Sequence, residues 1–444
     1  MRYDAIIVGA GTAGATAARY LAKNDFSVCL LDMKAQETIG EKVCGDAIAK
    51  HHFDLLKLDH PKGDELLCKV EGLAVYSPDK QSVLRVKDGG VNGFTVDRHK
   101  FGQRLLHDAM SAGATLLDQT RALEPVTREG GVTGVTVEDM RSRQLRTLEA
   151  PITIDASGYA GALRSKMPPE FGIEKEINAE DMIVAYREIR AGVNFTSDLS
   201  EIHISQEIAS GGYYWLFDRG HGEVNVGLGV QMKTGHPNPK EQLYRHVLTQ
   251  NLFKNSKILH GGGGIVPTRR PLPSLAANGI MFIGDAACLV NPIHGGGIGP
   301  SMLSGKLAAD TADVALRKED TSREVLWGLN TLYMKMYGAK QAGLDVFRLL
   351  LQSISDEELN FGIKQQLVTP REVLGASMEG ELGYSITDKA QKVFRGIGRL
   401  GFLNRLRKTA DLMHKARLLY LNYPCPDEFQ SWKSRAESIF SQKI

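Results

Sequence analysis

Gly9, Gly11 and Gly14, followed by Asp32, are the residues whose types and spacing first suggest chemistry. An apolar run over 5–8 precedes them, as expected for a buried parallel strand. Gly9 permits a tight turn out of that strand. Gly11 has no side chain to hold the backbone away from a pyrophosphate, and Gly14 lets the next helix pack close to the sheet. A helix over 12–24, with Ala13 in its first turn, offers unpaired N–H groups and a partial positive charge to phosphate. The run 28–31 reads as a second strand ending on Asp32. A carboxylate there accepts from ribose hydroxyls and repels a 2′-phosphate. Strand, glycines, helix, strand and acid in this order define a nucleotide site.

A second glycine-rich stretch lies far along the chain. Residues 280–283 are another apolar run, ending on Gly284 and Asp285, and residues 292–299 include Gly295, Gly296, Gly297 and Ile298 ahead of a helix expected to begin near Ser301. Asp285 can bind a sugar-alcohol oxygen. The glycines would leave backbone N–H groups bare, and a helix start there stabilises the anionic N1/O2 edge of a reduced flavin. NAD has no such locus, so the two stretches together point to FAD. His294 either contacts the isoalloxazine or faces solvent.

These residues need elements to position them. Strands are expected over 73–76, 82–86 and 114–117, a helix from Asp97-Arg98 through Met110, and a hairpin over 120–138. The run 152–155 ends in an acid and small residues, a third place for the nucleotide-binding sheet to return. From 173 to 264 the pattern alternates over 183–189, 201–205, 213–218 and 223–230, which indicates a mostly antiparallel sheet. Beyond Ser301 the pattern is almost wholly helical. The expected fold is α+β, with a Rossmann-like nucleotide domain over 1–75, 98–172 and 265–320. A substrate domain would comprise 76–97 and 173–264, and a helical C-terminal region 321–444.

Composition narrows the classes. The 444 residues suffice for a large core and two or three domains. A net charge of +2 gives no global nucleic-acid signal. Five cysteines, Cys29, Cys44, Cys68, Cys288 and Cys425, lie scattered without metal-type pairs, and their odd number argues for a reducing compartment. The first strand begins at once, leaving no room for a signal peptide. No apolar run is long enough to span a bilayer. A cytoplasmic protein is expected.

Several further motifs carry a resemblance. Lys42-Val43-Cys44-Gly45-Asp46, Gly212-Tyr213-Tyr214-Trp215-Leu216-Phe217, Asn225-Val226-Gly227-Leu228-Gly229, Pro267-Thr268-Arg269-Arg270-Pro271 and Gly284-Asp285-Ala286-Ala287 accompany the first glycine motif. Together they resemble the FAD-dependent geranylgeranyl reductase family, in particular its archaeal members acting on digeranylgeranylglycerophospholipid, over nearly the whole chain. The two glycine motifs are shared with hydroxylase-type flavoproteins at large; Cys-Gly-Asp and Tyr-x-Trp-x-Phe are narrower. Val43 and Asp218 stand where the family usually has proline. The resemblance implies FAD contacts at Ala13, Asp32, Cys44, Gly45, Ala47, Arg98, Ala122, Asp285, Gly297 and Ile298. Arg98 would neutralise pyrophosphate charge or else form a surface salt bridge. Ala122 would offer backbone atoms to adenine.

The implied chemistry makes demands of its own. An isolated isoprenoid double bond is electron-rich, and hydride addition first would leave an unstabilised carbanion. Protonation first gives a tertiary carbocation that hydride from flavin N5 quenches, in a channel that excludes water. Cys44 is the leading candidate for proton relay beside the flavin, or it is a small inert core thiol. Tyr213, Trp215 and Phe217 share one strand face and can orient a prenyl chain and stabilise a cation, or simply pack. Tyr214 points the other way. Tyr333, Tyr337, Phe347 and Leu351 line the same channel or form the core face of an amphipathic helix over 330–352.

Residues 389–417 hold nine Lys or Arg and one acid, Asp411, with Phe394, Ile397, Leu400, Phe402, Leu403, Leu406 and Met413 interleaved. Such a segment suits an anionic phospholipid surface at the inner face of the membrane, or is a solvated helix face. Three functions remain open: reduction of prenyl double bonds, flavin-dependent hydroxylation, and non-catalytic lipid or redox carriage. No second nucleotide fingerprint is present, so the electron donor is a ferredoxin, a reduced deazaflavin or transiently bound NAD(P)H.

Overall fold

The computed structural model describes residues 2–87, 90–380 and 399–443. Its central six-stranded sheet runs in the order Ala276–Ala277, Ile280–Phe282, Ile152–Asp155, Ala5–Val8, Val28–Leu31, Thr115–Leu117. The first of these pairs antiparallel at the edge. The others are parallel. Ala5–Val8, Val28–Leu31 and Ile152–Asp155 are buried throughout, which is why they read as continuous apolar runs rather than alternating ones. Three distant parts of the chain thus meet in one sheet. Their carboxyl ends bring Gly9, Asp32 and Gly284 to a single edge, where nucleotides bind in open parallel sheets.

Two helices cover one face of that edge, Thr12–Ala22 and Ile298–Arg317. They approach closely because Gly305 faces the first helix: a Cβ there would stand 2.4 Å from the Ala13 carbonyl oxygen. The helix Arg98–Ser111 is capped by Asp97, whose side chain accepts from the Lys100 N–H. The hairpin Thr120–Arg128 and Gly131–Asp139 gains a third strand, Leu145–Glu149.

The antiparallel expectation for the middle of the chain is realised in a seven-stranded sheet. Its order is Lys257–Pro267, Met182–Ala191, Glu223–Gln231, Tyr213–Gly220, Leu199–His203, Gly72–Tyr76, Val83–Lys87. One pair, Leu199–His203 with Gly72–Tyr76, is parallel. The border expected at 75/76 therefore falls inside a strand that belongs wholly to this sheet. Gly93–Val96, assigned from sequence to the same unit, instead pairs with Ala47–Ala49 and Leu66–Val70 in a small sheet. Lys257–Pro267 escaped the sequence pattern because four consecutive glycines, Gly261 to Gly264, read as loop. Pairing along Met182–Ala191 overrides that local preference.

The C-terminal part is helical among the described residues. The helix expected over 330–352 is interrupted by a π-helical turn at Met334–Gly338 before continuing as Ala339–Leu351. Tyr333 is core: it is fully buried, and its hydroxyl donates to Gln341 Oε1 at 3.1 Å. A buried ionic network fastens Ala339–Leu351 to the body. Arg348 pairs with Asp345 and Asp181 at 2.7 Å each, Arg270 with Asp345 at 3.1 Å, and Arg269 with Glu174 at 2.8 Å. In the helix Leu400–Leu421, Phe402, Leu406 and Met413 are buried. Those three side chains face the body, whereas Leu400 at the helix start is exposed. Lys389, Phe394 and Ile397 lie outside the described residues.

Candidate active site

The first glycine turn is built as its sequence demands. Gly9 adopts φ +100°, and a Cβ on it would lie 2.5 Å from the Ala156 carbonyl oxygen. A Cβ on Gly14 would lie 1.8 Å from the Gly9 carbonyl oxygen, so strand and helix meet only because both lack one. A Cβ on Gly11 would meet nothing within 4 Å. That open side is the space a pyrophosphate needs. Asp32 is braced by two backbone donors, the Ala10 N–H to Oδ2 at 2.8 Å and the Lys34 N–H to Oδ1 at 2.9 Å. Each oxygen keeps acceptor capacity for a ribose hydroxyl. The Thr120 N–H donates to the Asp32 carbonyl at 2.8 Å, which brings the half-buried Ala122 to the same edge.

Arg98 provides the sharpest test of whether FAD fits. The side chain is buried, and Nη2 donates to Thr12 Oγ1 at 2.6 Å, at the start of the first helix. Its Nε and Nη1 have no partner among the described residues. Buried donors of this kind are rarely left unmatched, and a cation at this helix start matches a pyrophosphate. Among the described residues the surface salt bridge considered from sequence is not formed. The residues present fit the cofactor.

The second glycine stretch differs in detail from its expectation. The Gly295 N–H donates to the Asn291 carbonyl at 3.0 Å, and the Gly296 N–H to His294 Nδ1 at 3.1 Å. These two N–H groups are therefore satisfied within the loop rather than bare. The helix begins at Ile298, not near Ser301, with Gly297 at its cap and no side chain capping it. The free N–H groups of the first turn make Gly297 and Ile298 the pair able to meet an anionic ring edge. Asp285 lies just beneath: a Cβ on Gly297 would be 3.2 Å from its Oδ1, while Oδ2 pairs with Lys42 Nζ at 2.7 Å.

The antiparallel sheet presents the aromatic strand to this loop. Tyr213, Trp215 and Phe217 share one face, with ring centroids 5.9 and 6.3 Å apart. Tyr214 turns to the other side, where it stacks on His203. Two glycines make room for the aromatic row. A Cβ on Gly45 would strike the Phe217 ring at 2.8 Å, and one on Gly227 the Trp215 ring at 2.2 Å. Asn225 joins strand and loop: it accepts from Trp215 Nε1 at 3.0 Å and donates to the Cys44 carbonyl at 2.8 Å and to Asp46 Oδ2 at 2.9 Å. Arg219 Nη1 adds a 2.8 Å bond to the same carboxylate. Burial raises the Asp46 pKa, against the pull of Arg187 and Arg219. Asp218, standing in place of the usual proline, accepts from the Ser197 and Gly220 N–H groups and holds the turn by hydrogen bonds instead.

The sequence candidates converge. The Tyr213 hydroxyl donates to the His294 carbonyl at 2.7 Å. Cys44 packs against the cluster containing Ile298 and Met302, and Ala47 begins the next strand. Burial, then the Asp46 charge, raises the Cys44 pKa; burial, then Cys44, raises that of Tyr213. Both groups thus hold their protons at neutral pH. His294 is accessible, yet its imidazole pKa is lowered to about 4, mainly by desolvation and then by Lys340. Asn225, Lys42, His52 and Lys340 were not singled out from sequence. Asn225 lies within a quoted motif, and its one legible signal is a polar residue in an otherwise apolar strand.

The fold and this site define an FAD-dependent oxidoreductase. The family model described as FAD dependent oxidoreductase matches residues 4–194, and that of the geranylgeranyl reductase catalytic domain matches residues 181–266. The digeranylgeranylglycerophospholipid reductase of Sulfolobus acidocaldarius is 39% identical, over 100% of this chain and 98% of its own length. That of Methanoculleus marisnigri is 31% identical over 73% of this chain and 80% of its own. The chain belongs to the digeranylgeranylglycerophospholipid reductase family. Among solved structures, the geranylgeranyl bacteriochlorophyll reductase-like protein of Thermoplasma acidophilum superposes with TM-score 0.78 at 24% identity, covering 92% of this chain and 99% of the other. A myxobacterial chondrochloren halogenase shares the fold at TM-score 0.64 and 15% identity, covering 89% and 97%.

Proposed function

We propose that this protein saturates isolated double bonds in the geranylgeranyl chains of archaeal membrane phospholipids. The observation that carries the reading is the meeting of two surfaces. The capless helix start at Gly297 and Ile298 belongs to the flavin domain, and Cys44, Tyr213 and Trp215 form an apolar, proton-bearing wall opposite it. FAD, when bound, supplies the hydride. The protein's own part is to hold the cofactor through Arg98, Asp32 and Asp285, to exclude water, and to keep protons on the Cys44 thiol and Tyr213 hydroxyl. Trp215 and Phe217 face any cation formed there. Hydroxylation on the same scaffold has no support beyond the shared fold.

Electrons arrive from a ferredoxin, a reduced deazaflavin or NAD(P)H. The protein works in the cytoplasm, against the inner face of the membrane that holds its substrate. No helix among the described residues is long and apolar enough to cross a membrane. A surface recess near Leu55, Leu56 and Met336, rimmed by Lys23, Lys57 and Lys306, supports peripheral contact. The deciding experiment is anaerobic reduction of the FAD-loaded protein followed by mass spectrometry of an added prenyl phospholipid. The expected result is a gain of two hydrogens per double bond. A gain of one oxygen, or no change, overturns the reading.

A further inference from the structure

The segment 41–46, which bears Cys44, has no helix or strand of its own. Its shape is set by what it touches. One side rests on the antiparallel sheet. The Asn225 side-chain amide donates to the Cys44 carbonyl at 2.8 Å, and Asp46 Oδ2 accepts from Asn225 at 2.9 Å and from Arg219 Nη1 at 2.8 Å. Gly45 lies against the Phe217 ring. Val43 lies over the glycine strand: a Cβ on Gly262 would stand 2.9 Å from Val43 Cγ2, and one on Gly264 would stand 3.6 Å from Val43 Cβ. Bare backbone in Lys257–Pro267 thus makes the seat for Val43, the residue in place of the usual proline. A proline ring would restrict the loop through its own φ; here contact with the sheet restricts it.

Those contacts place Cys44 relative to the sheet, not relative to the flavin domain. Toward that domain Cys44 itself packs in the apolar cluster of Ile298 and Met302, and apolar burial is non-directional. Lys34 Nζ donates to the Glu41 carbonyl, an exposed contact at the segment's start. The directional tie close to the thiol is Lys42, whose Nζ pairs with Asp285 Oδ2 at 2.7 Å. The Lys42 side chain is 53% exposed and that of Asp285 6%, so the lysine reaches in from the surface to a buried carboxylate. Among the described residues Lys42 is the only hydrogen-bond partner of that carboxylate. Asp285 Oδ1 is the oxygen left for a cofactor hydroxyl, and it lies 3.2 Å from where a Cβ on Gly297 would stand, at the helix start facing the flavin edge. A charge-assisted bond of this kind is short and stronger than a neutral one. Removing the lysine leaves a buried charge without its partner.

We propose that Lys42 is a positioning residue: its bond to Asp285 fixes the Cys44 thiol against the flavin, so that one carboxylate holds both the cofactor and the loop that bears the proton. This deepens the reading above and rests on Cys44 as the proton-bearing group. Displacing a reacting group by about 1 Å costs about a hundredfold in rate. The Val43 seat and the Asn225 bonds set the loop on the substrate side, and Lys42 sets it on the cofactor side.

The test uses the FAD holoenzyme and Lys42→Met, which keeps much of the stem and removes the charge. Two readouts are independent of turnover. One is the ratio of flavin to protein absorbance. The other is the rate at which iodoacetamide labels Cys44, mapped by peptide mass spectrometry against the exposed Cys425 as internal standard. In Lys42→Met flavin should be retained, and Cys44 labelling should quicken about fivefold, as for the loss of one partly exposed ion pair. With geranylgeraniol as probe, kcat should fall about tenfold or more at unchanged KM, and Lys42→Arg should restore both labelling and kcat. Unchanged labelling and kcat overturn the proposal. So does a raised KM at unchanged kcat, which would place Lys42 in substrate binding. Labelling that quickens only as far as in wild type stripped of FAD, with flavin lost from the variant, also overturns it, because Lys42 then serves the cofactor alone. A wild type that reduces no prenyl probe, yet whose Cys44 labelling still depends on Lys42, supports the tie and sinks the proposed reaction, so the two failures are distinguishable.

Discussion

At the scale of single residues, Arg98 carries the clearest prediction. Its Nε and Nη1 are buried without partners, and only Nη2 is held, by Thr12. Arg98→Met keeps much of the apolar stem and removes the charge. The expected outcome is purified protein with normal circular dichroism and a much lower ratio of flavin to protein absorbance. An unaltered ratio would show that the guanidinium does not hold the cofactor. His294 gives a second prediction, read from pH. Its pKa in the folded protein is about 4, against an ordinary 6.5. Between those values the unfolded chain takes up a proton that the folded chain refuses, so stability rises with pH across that window and is lost on acidification. His294→Asn should flatten the fall in melting temperature of the holoenzyme between pH 6.5 and 4. An identical slope in wild type and variant would refute the desolvated imidazole.

At the scale of elements, the aromatic strand and the Cys44 loop are one unit because Asn225 bonds to both. Asn225→Leu leaves the Trp215 N–H, the Cys44 carbonyl and the Asp46 carboxylate each short of a partner. The expected loss is about 1–3 kcal/mol in denaturant unfolding, the penalty for stranding a buried polar group. Turnover should fall while flavin is retained, since Arg98, Asp32 and Asp285 keep their places. Unchanged unfolding and turnover would show that the link is dispensable. Elements of this kind mark the limit of what the sequence discloses. The parallel strands, the first glycine turn and the one-faced aromatic row were legible because each is a short-range pattern of period or turn chemistry. The Lys257–Pro267 strand was not, because its glycines are stabilised by pairing with a distant partner. Nor was the loop's own use of the Gly295 and Gly296 N–H groups, which depends on the fold of Asn291 and His294 beside them.

At the scale of the whole molecule, the substrate is insoluble in water and the protein must meet it at a surface. The basic segment read from sequence as either a membrane surface or a solvated face directs Phe402, Leu406 and Met413 inward and leaves Leu400 59% exposed. A different face has the needed composition. Leu55, Leu332 and Met336 are 52%, 41% and 47% exposed. Leu55 and Met336 share a recess with Leu303, Leu307, Arg19, Lys23, Lys57 and Lys306, the last paired with Asp310 on the same rim. Lys335 is exposed beside them. Isolated exposed apolar residues are ordinary, but grouped ones rimmed by lysine fit the boundary of an anionic bilayer, where apolar burial and Coulombic attraction add. Each lysine near such a surface contributes about 1 kcal/mol, an attraction screened by salt. Leu55→Asp with Met336→Asp removes the apolar part and adds repulsion without replacing any residue assigned to the flavin site. The double variant should co-float poorly with vesicles rich in anionic lipid, and wild-type flotation should weaken as salt is raised. It should still retain flavin and reduce a short-chain, detergent-dispersed prenyl probe at the wild-type rate. If it floats as well as wild type, this face does not touch the membrane, and the lipid must be delivered by another route.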